Sequence, residues 1–201
     1  MITDVSRETA QRLVAFTVIF HKWAKAVNLV GQSTIEDMET RHIADSLQIA
    51  EFAPDTALTW ADFGTGGGFP GLIIAALQAE THPQRTFTLI ESDQRKCTFL
   101  REAARAMSLD IQVVTARVES LPPLKSDVIS ARALAPLEIL CGYARKHLRP
   151  DGVAIFMKGE GYANEVALAK QAGWTFDAEY KASATHAGSV IIVMKNIVRN
   201  E

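Results

Sequence analysis

The fold of this 201-residue chain is decided by the sequence DFGTGGGFPG at residues 62–71. An apolar run at 58–63 precedes it and reads as a β-strand, and an apolar run at 69–78 reads as a helix. Glycines let the backbone turn sharply and let a ligand approach it closely, and Pro70 suits the first turn of a helix. The N–H groups at the start of that helix can donate to a carboxylate or a phosphate. The stretch therefore predicts a strand, a turn suited to ligand binding, and a helix.

Strands and helices alternate after this glycine loop. Further strands are predicted at 86–90, 111–114, 127–130 and 153–157, with helices at 94–106, 136–145 and 163–171. This alternation is typical of βαβ units and a parallel sheet. Strand-like runs at 175–180 and 190–195 have no helix between them, so we expect an antiparallel pair at one edge of the sheet.

Residues 6–52 read as helical. The apolar side chains recur at steps of three and four, which places them on one helix face; they are Leu13, Phe16, Phe20, Trp23 and Val27. Ser33 and Glu36 have the spacing of a capping box, and a second amphipathic helix is predicted after them, up to about residue 50. We therefore expect two parts, a helical extension at residues 1–55 and an α/β domain at residues 56–201.

The composition is that of an ordinary globular protein, with 48% hydrophobic and 22% charged residues. The formal net charge of −2 does not indicate a nucleic-acid partner, so such a role needs a local basic patch. Cys97 and Cys141 lack metal-ligand spacing and are expected to be buried thiols. With no signal segment and no apolar run long enough for a membrane span, we expect a cytoplasmic protein that does not enter the membrane.

The glycine loop matches two ligand-binding motifs. Gly66, Gly68 and Gly71 satisfy G-x-G-x-x-G, the dinucleotide fingerprint. Asp62 with Gly64, Gly66 and Gly68 satisfies D-x-G-x-G-x-G, which resembles the first motif of S-adenosylmethionine-dependent methyltransferases. A turn that binds nothing is the third interpretation.

Features outside the loop bear on this choice. Glu91 ends the next strand, where a carboxylate can accept hydrogen bonds from the ribose hydroxyls of either cofactor. The antiparallel tail favours the methyltransferase fold. A nicotinamide-dependent oxidoreductase would in addition need a substrate domain, for which the chain has no room.

Several segments, taken together, resemble one family. They are RHIADSL at 41–47, GTGGGFPG at 64–71, ES at 91–92 with Lys96 and the FL pair at 99–100, ARVE at 116–119, SARA at 130–133 and MKG at 157–159. Trp23 and the NL pair at 28–29 fit the same pattern. The chain resembles the ribosomal small-subunit RNA methyltransferase G family, also called glucose-inhibited division protein B, over roughly residues 20–160.

The resemblance implies a Rossmann-like class I S-adenosylmethionine-dependent methyltransferase fold, a mostly parallel sheet with an antiparallel C-terminal edge strand, preceded by N-terminal helices. It also implies methylation of N7 of a guanine in bacterial 16S rRNA. The expected partner is 16S rRNA or the small ribosomal subunit, with no metal, and a monomer is expected. A methyltransferase for another RNA or a small molecule, an NAD-dependent oxidoreductase and a non-catalytic nucleotide-binding module remain alternatives.

The motif and the resemblance together predict the site. The expected cofactor-binding residues are Asp62, Gly64, Gly66, Gly68, Phe69, Glu91, Ser92, Val118, Glu119 and Arg132. The expected catalytic residues are Arg132, Lys158 and Arg117, which match basic positions in the family's cleft. In the last hairpin the family's arginine is missing from the sequence THAGS at 185–189; His186 and Arg199 are the candidate replacements.

The expected chemistry asks little of the protein. Guanine N7 carries a lone pair and no proton, so methyl transfer needs no general base, and catalysis should consist mainly of positioning. Arg132 and Lys158 follow the fourth and fifth strands, where ligands gather in open α/β sheets. They are expected to orient the substrate through a phosphate or guanine O6. Basic residues at 95–105 and 145–149 are either RNA contacts or solvated helix faces.

Overall fold

The computed structural model describes residues 5–29 and 42–200. In chain order its elements are α1 (Arg7–Ala24), α2 (Ala44–Leu47), a 3-10 helix (Gln48–Phe52), β1 (Thr59–Phe63), α3 (Gly71–Thr81), β2 (Thr86–Glu91), α4 (Gln94–Ala106), β3 (Ile111–Thr115), a 3-10 turn (Val118–Ser120), β4 (Ser126–Arg132), α5 (Leu137–His147), β5 (Leu148–Lys158), α6 (Tyr162–Gln171), β6 (Trp174–Ala182) and β7 (Val190–Arg199).

The strands form one seven-stranded sheet in the order β3-β2-β1-β4-β5-β7-β6. β1 to β5 pair in parallel, whereas β7 is antiparallel to both β5 and β6. The predicted antiparallel pair is therefore confirmed, with β7 inserted between β5 and β6. The strand order reverses between β1 and β4, and ligands of open α/β sheets bind at the carboxyl ends of the strands beside such a reversal.

Side chains of β1 alternate between the two faces of the sheet. Ala61 and Phe63 pack in the core that includes α5, whereas Trp60 packs with Ile74 of α3 on the opposite side. Because successive strand residues point to opposite faces, Asp62 lies on the same side as Trp60. This alternation places an acidic side chain beneath the start of α3.

Helix α1 packs on the α/β core through the face predicted from the sequence. Leu13, Phe16 and Phe20 are buried, and the Phe16 ring lies 5.5 Å from that of Phe69 and 6.2 Å from that of Phe99, between ring centroids. The helix thus shares one apolar cluster with α3 and α4. The division at residue 55 stays a prediction.

The second N-terminal helix differs from the expected one. Its predicted capping box, Ser33 and Glu36, and also Arg41, lie outside the described residues. In the described part, the α-helix spans only Ala44–Leu47 and continues as the 3-10 helix Gln48–Phe52. Extended Ala53 follows, and Pro54 comes next, which disfavours helical geometry at the residue before it.

Helix α3 begins at Gly71, two residues later than the apolar pattern predicts. Gly68 has a φ of +91°, which ends the loop in a left-handed conformation. The Gly71 N–H then donates to the Asp62 carboxylate at 3.1 Å. The beginning of the helix is therefore set by a contact to β1 that no local pattern reveals.

Candidate active site

The glycine loop adopts a conformation that its glycines alone make inexpensive. Gly64, Gly66 and Gly68 have φ values of +64°, +53° and +91°, in the left-handed region that side chains disfavour. At Gly64 a Cβ would also lie 2.5 Å from Cδ1 of Leu134. The loop is held from the neighbouring strand, since the Gly66 N–H donates to Oε2 of Glu91 at 3.1 Å.

Asp62 lies beneath this loop and lines none of the cavities around it. Its carboxylate accepts hydrogen bonds from Ser130 Oγ at 2.6 Å and from the Gly71 N–H at 3.1 Å. Ser130 Oγ in turn accepts from Trp60 Nε1 at 2.8 Å. Burial raises the pKa of Asp62 to about 6, although these hydrogen bonds favour its charged form. Asp62 thus contacts the end of the glycine loop from the protein interior, where it has no exposed surface for the predicted direct ligand contact.

Gly68 also differs from its predicted role. A Cβ there would lie 3.2 Å from Leu72 and 3.3 Å from Phe16, so this glycine faces the core of the protein. Thr65 and Gly67, which the motif left out, line the cavity beside the loop.

The first cavity has a volume of about 310 Å³ and lies at the carboxyl ends of β2 and β3. It brings together seven of the predicted residues, namely Gly64, Gly66, Glu91, Ser92, Arg117, Val118 and Glu119. The rest of its lining consists of Ile90, Lys96, Ala116, Ala133, Leu134, Ala135, Ile139 and Tyr143. The apolar wall formed by Leu134 and Ile139 was not predicted. Both side chains are partly exposed, at 37% and 47%, and a flat apolar ligand would cover them.

Two acidic side chains of the first cavity are held by hydrogen bonds. Glu91 is buried and its Oε1 accepts from the Asp93 N–H at 2.8 Å. Oε2 of Glu119 accepts from the Tyr143 hydroxyl at 3.2 Å. A hydrogen bond from its own backbone N–H, with that from Tyr143, lowers the pKa of Glu119. Both side chains therefore hold oxygen acceptors in the lining of the first cavity.

Arg117 lies at this first cavity, with an exposed side chain. It lines neither of the cavities that Arg132 lines. The predicted catalytic trio of Arg117, Arg132 and Lys158 is thus divided, because Arg117 follows β3 at one side of the sheet and Lys158 ends β5 beyond β4.

The second cavity, of about 360 Å³, continues from the first across the glycine loop. Its lining consists of Leu29, His42, Gly64, Thr65, Gly66, Gly67, Phe69, Lys96, Arg132 and Ala133. Lys96 borders both cavities. The sequence predicts only that this residue is an RNA contact or part of a solvated helix face. Ala133 borders them too and has a φ of +50°, a strained value of the kind that clusters at functional sites.

The third cavity, of about 300 Å³, adjoins the second at Arg132 and Ala133. Its lining is Asp45, Arg132, Ala133, Met157, Lys158, Gly159, Glu165, Ser183, His186, Ser189, Val190 and Ile191. The guanidinium of Arg132 contacts Nδ1 of His42 and lies 3.9 Å from Oδ2 of Asp45. Arg132 therefore stands between the second and third cavities, oriented by the N-terminal segment.

The hairpin loop between β6 and β7 lines part of the third cavity. Asp45 accepts a hydrogen bond from Ser183 Oγ at 2.9 Å and another from Thr185 Oγ1, and Gln48 Oε1 accepts from the Ala184 N–H at 3.0 Å. His186 lines this cavity. Arg199 lies elsewhere, with its guanidinium 5.5 Å from the centre of the Trp174 ring. Of the two candidate replacements for the missing arginine, only His186 is at the site.

Several residues of the two basic clusters are engaged within the protein. Arg95 donates to the Ala26 carbonyl at 2.8 Å, Arg101 to the Val113 carbonyl at 2.9 Å, and Lys146 to the Glu119 carbonyl at 2.7 Å. These three positions therefore fasten neighbouring segments of the fold. In residues 5–29 and 42–200 no group of three or more histidine, cysteine or acidic residues is arranged to hold a metal ion. Cys97 and Cys141 are buried free thiols, as predicted.

None of the helices in the described ranges is long and apolar enough to cross a membrane.

Comparison with known proteins links this chain to one family. Residues 9–192 match the family model GidB, described as rRNA small subunit methyltransferase G. A ribosomal RNA small subunit methyltransferase G from Cereibacter sphaeroides is 47% identical over 96% of this chain and 93% of its own length. One from a Ruegeria species is 45% identical over 98% of this chain and 95% of its own length.

Solved structures share the fold at low sequence identity. A ribosomal protein L11 methylase from Lactobacillus delbrueckii subsp. bulgaricus has a TM-score of 0.59 and 21% identity, covering 78% of this chain and 77% of its own. TYW2 from M. jannaschii, solved in complex with AdoMet, has a TM-score of 0.59 and 14% identity, covering 79% and 76%. Together with the sheet order, these neighbours confirm the predicted class I methyltransferase fold.

Proposed function

Because this chain belongs to the rRNA small subunit methyltransferase G family, we propose that it transfers the methyl group of S-adenosylmethionine to N7 of one guanine in 16S rRNA. The observation that carries the proposal is the row of three adjoining cavities at the carboxyl ends of the strands. The first two suit a cofactor that follows the glycine loop, and the third leaves room for a base.

The residues of the first cavity fit an adenosine. Val118, Leu134 and Ile139 offer apolar surface to the adenine faces, and Glu91 with Ser92 offers oxygen atoms to the ribose hydroxyls. Glu119, in the same lining, can accept from the adenine amino group. When bound, S-adenosylmethionine supplies an electrophilic methyl group on a sulfonium.

The second cavity fits the amino-acid part of the cofactor. Its wall is the backbone of Gly64 to Gly67, where the glycines allow close approach, together with Phe69. Asp62 acts indirectly, since its hydrogen bond to Gly71 fixes the end of the loop. Arg132 and Ala133 mark the boundary with the third cavity, where the methyl group has to be presented.

The charges around the third cavity suit a base that becomes cationic. Methylation at N7 adds positive charge to the guanine ring. Basic side chains with no acidic partner beside that ring would therefore oppose the reaction. Here Lys158 is paired with Glu165 at 2.6 Å, and Arg132 lies 3.9 Å from Asp45. Both basic side chains can therefore orient the base through hydrogen bonds while their charge is offset.

The expected partner is 16S rRNA or the small ribosomal subunit, and we expect a cytoplasmic monomer. Lys96 and Arg117 line the first cavity, and neither is buried. We expect them to contact the phosphate backbone, so that activity falls as salt rises.

The test is mass mapping of modified nucleotides in 16S rRNA from cells lacking the gene. We expect one 7-methylguanosine to disappear, and purified protein with S-adenosylmethionine to restore it on that rRNA or on the small subunit. An unchanged 7-methylguanosine content would refute the proposal. Calorimetry with S-adenosylmethionine and with NAD separates it from an oxidoreductase, because binding of NAD alone would exclude a methyltransferase.

A further inference from the structure

A hydrogen-bond donor and an acceptor lie side by side in the wall of the third cavity. The donor is Nζ of Lys158 at the end of β5, and the acceptor is the carboxylate of Glu165 in the first turn of α6. The two are 2.6 Å apart, and both residues line the cavity. Their side chains are 9% and 28% exposed, so the pair has a fixed environment and remains reachable.

The two oxygens of Glu165 have different surroundings. Oε2 accepts from Nζ of Lys158 and, at 2.7 Å, from the N–H of Leu137 at the start of α5. Among the described residues no hydrogen bond reaches Oε1. Nζ of Lys158 is held from its other side by the Ala135 carbonyl at 3.0 Å. The site thus offers one ammonium group beside one carboxylate oxygen. Hydrogen bonds to the backbone of Ala135 and Leu137 hold the two side chains in place.

We propose that Lys158 and Glu165 form the pair that selects guanine as the methyl acceptor, an inference that rests on the proposed function. On its Watson–Crick edge guanine has the O6 acceptor beside the N1–H donor, which complements a lysine beside a carboxylate. Adenine presents the reverse order, the N6 amino donor beside the N1 acceptor. Enzymes that modify a base commonly read its Watson–Crick edge in a pocket outside the helix.

Such a device is required because the methyl transfer itself does not discriminate between the purines. Adenine and guanine both carry an N7 lone pair, so both are nucleophiles at the reacting position. Adenine in this cavity would set its amino group against the Lys158 ammonium and its N1 lone pair against the Glu165 carboxylate. Two buried mismatches reject a ligand much more strongly than the loss of one contact.

The alternative is that Glu165 only holds α5 and Lys158 in place, and Glu165→Gln separates the two roles. Both groups that contact Oε2 are donors, so glutamine keeps its oxygen toward them and its NH2 group takes the place of Oε1. The contacts with Lys158 and Leu137 are therefore kept, while the acceptor Oε1 is replaced by a donor. The variant should therefore change which base is accepted, which a purely structural residue would not do.

The experiment measures kcat/KM for methyl transfer to 16S rRNA that carries guanosine, inosine or 2-aminopurine at the modified position. Inosine keeps O6 and N1–H, whereas 2-aminopurine lacks both and has an acceptor at N1. The wild-type protein should accept inosine nearly as well as guanosine and reject 2-aminopurine. In Glu165→Gln the guanosine to 2-aminopurine ratio should fall by roughly 10- to 100-fold, the discrimination of a good hydrogen-bonded base contact, and S-adenosylmethionine affinity should not change.

Glu160→Gln is the matched control, because Glu160 is exposed and does not line the cavity; its ratio should equal that of the wild-type protein. An equal loss of activity on all three RNAs in Glu165→Gln would overturn the proposal and leave a structural role. Unchanged activity on all three would overturn it as well. Failure of the wild-type protein to methylate guanosine would instead refute the proposed function, and with it this inference.

Discussion

Replacing Asp62 with asparagine should change the pH dependence of stability in one direction. Burial raises the pKa of Asp62 from 3.8 to about 6. Since the folded-state pKa is the higher one, the folded protein holds this proton more tightly than the unfolded chain. The resulting stabilisation is complete below pH 3.8 and is lost as the pH rises through about 6. At about 1.4 kcal/mol per pH unit it amounts to about 3 kcal/mol.

The assay is urea unfolding of the wild-type protein and Asp62→Asn at a series of pH values. Because asparagine does not titrate, and because the other groups are common to both proteins, their contributions cancel in the difference between the two unfolding free energies. The unfolding free energy of the wild-type protein minus that of Asp62→Asn should fall by about 3 kcal/mol between about pH 4 and about pH 7. A difference that is constant with pH would refute the assignment of Asp62 as a buried titrating group.

Two further variants test whether the environment of Asp62 causes this pH dependence. Ser130→Ala removes the 2.6 Å hydrogen bond that favours the charged carboxylate, so the fall should move to higher pH. Asp151→Asn changes an exposed aspartate and should leave the pH profile as it is in the wild-type protein. A shift to lower pH in Ser130→Ala would contradict the hydrogen-bond argument.

Three shorter predictions concern the site and the core. Gly64→Ala puts a Cβ 2.5 Å from a neighbouring side-chain carbon at a φ of +64°. This change should lower the free energy of unfolding by about 1–3 kcal/mol and weaken S-adenosylmethionine binding, measured by calorimetry. Gly161→Ala, which has open space around its Cβ, should change neither quantity. Arg132→Ala should reduce methyl transfer by on the order of 100-fold through lost positioning, and by far more than exposed Arg105→Ala; equal losses would show that the active site lies elsewhere. Burial raises the pKa of Cys141 to about 12, so iodoacetamide should label this thiol only after unfolding; rapid labelling of the native protein would disprove its burial.

Much of the α/β domain was predictable because its signals are local. Helix α4 begins and ends where the pattern predicts, at Gln94 and Ala106, since Asp93 caps its first turn through the N–H groups of Arg95 and Lys96. The strands were predicted from short apolar runs, and the antiparallel tail from the absence of a helix between its two strands. Each of these signals lies within a few residues of the element that it predicts.

The candidate site was only partly predictable, because its residues meet across the sheet. Glu91, Val118 and Glu119 were expected to lie near one another, and all three line the first cavity. The places of Gly68 and Arg117 differ from expectation, since a motif records the order of residues and not the direction in which each one faces. Nothing in the sequence around Glu165 singled it out.

The sequence by itself determined the class of fold, the glycine loop and the family, because alternation of apolar runs, left-handed glycine positions and motif order are properties of the chain. Only the tertiary structure decided that Asp62 lies beneath the loop, that Arg132 lines two cavities, and that Lys158 pairs with Glu165. These arrangements depend on which strands become neighbours and which faces the side chains take. Such contacts join residues far apart in the chain, so only the packed sheet and its helices bring them together.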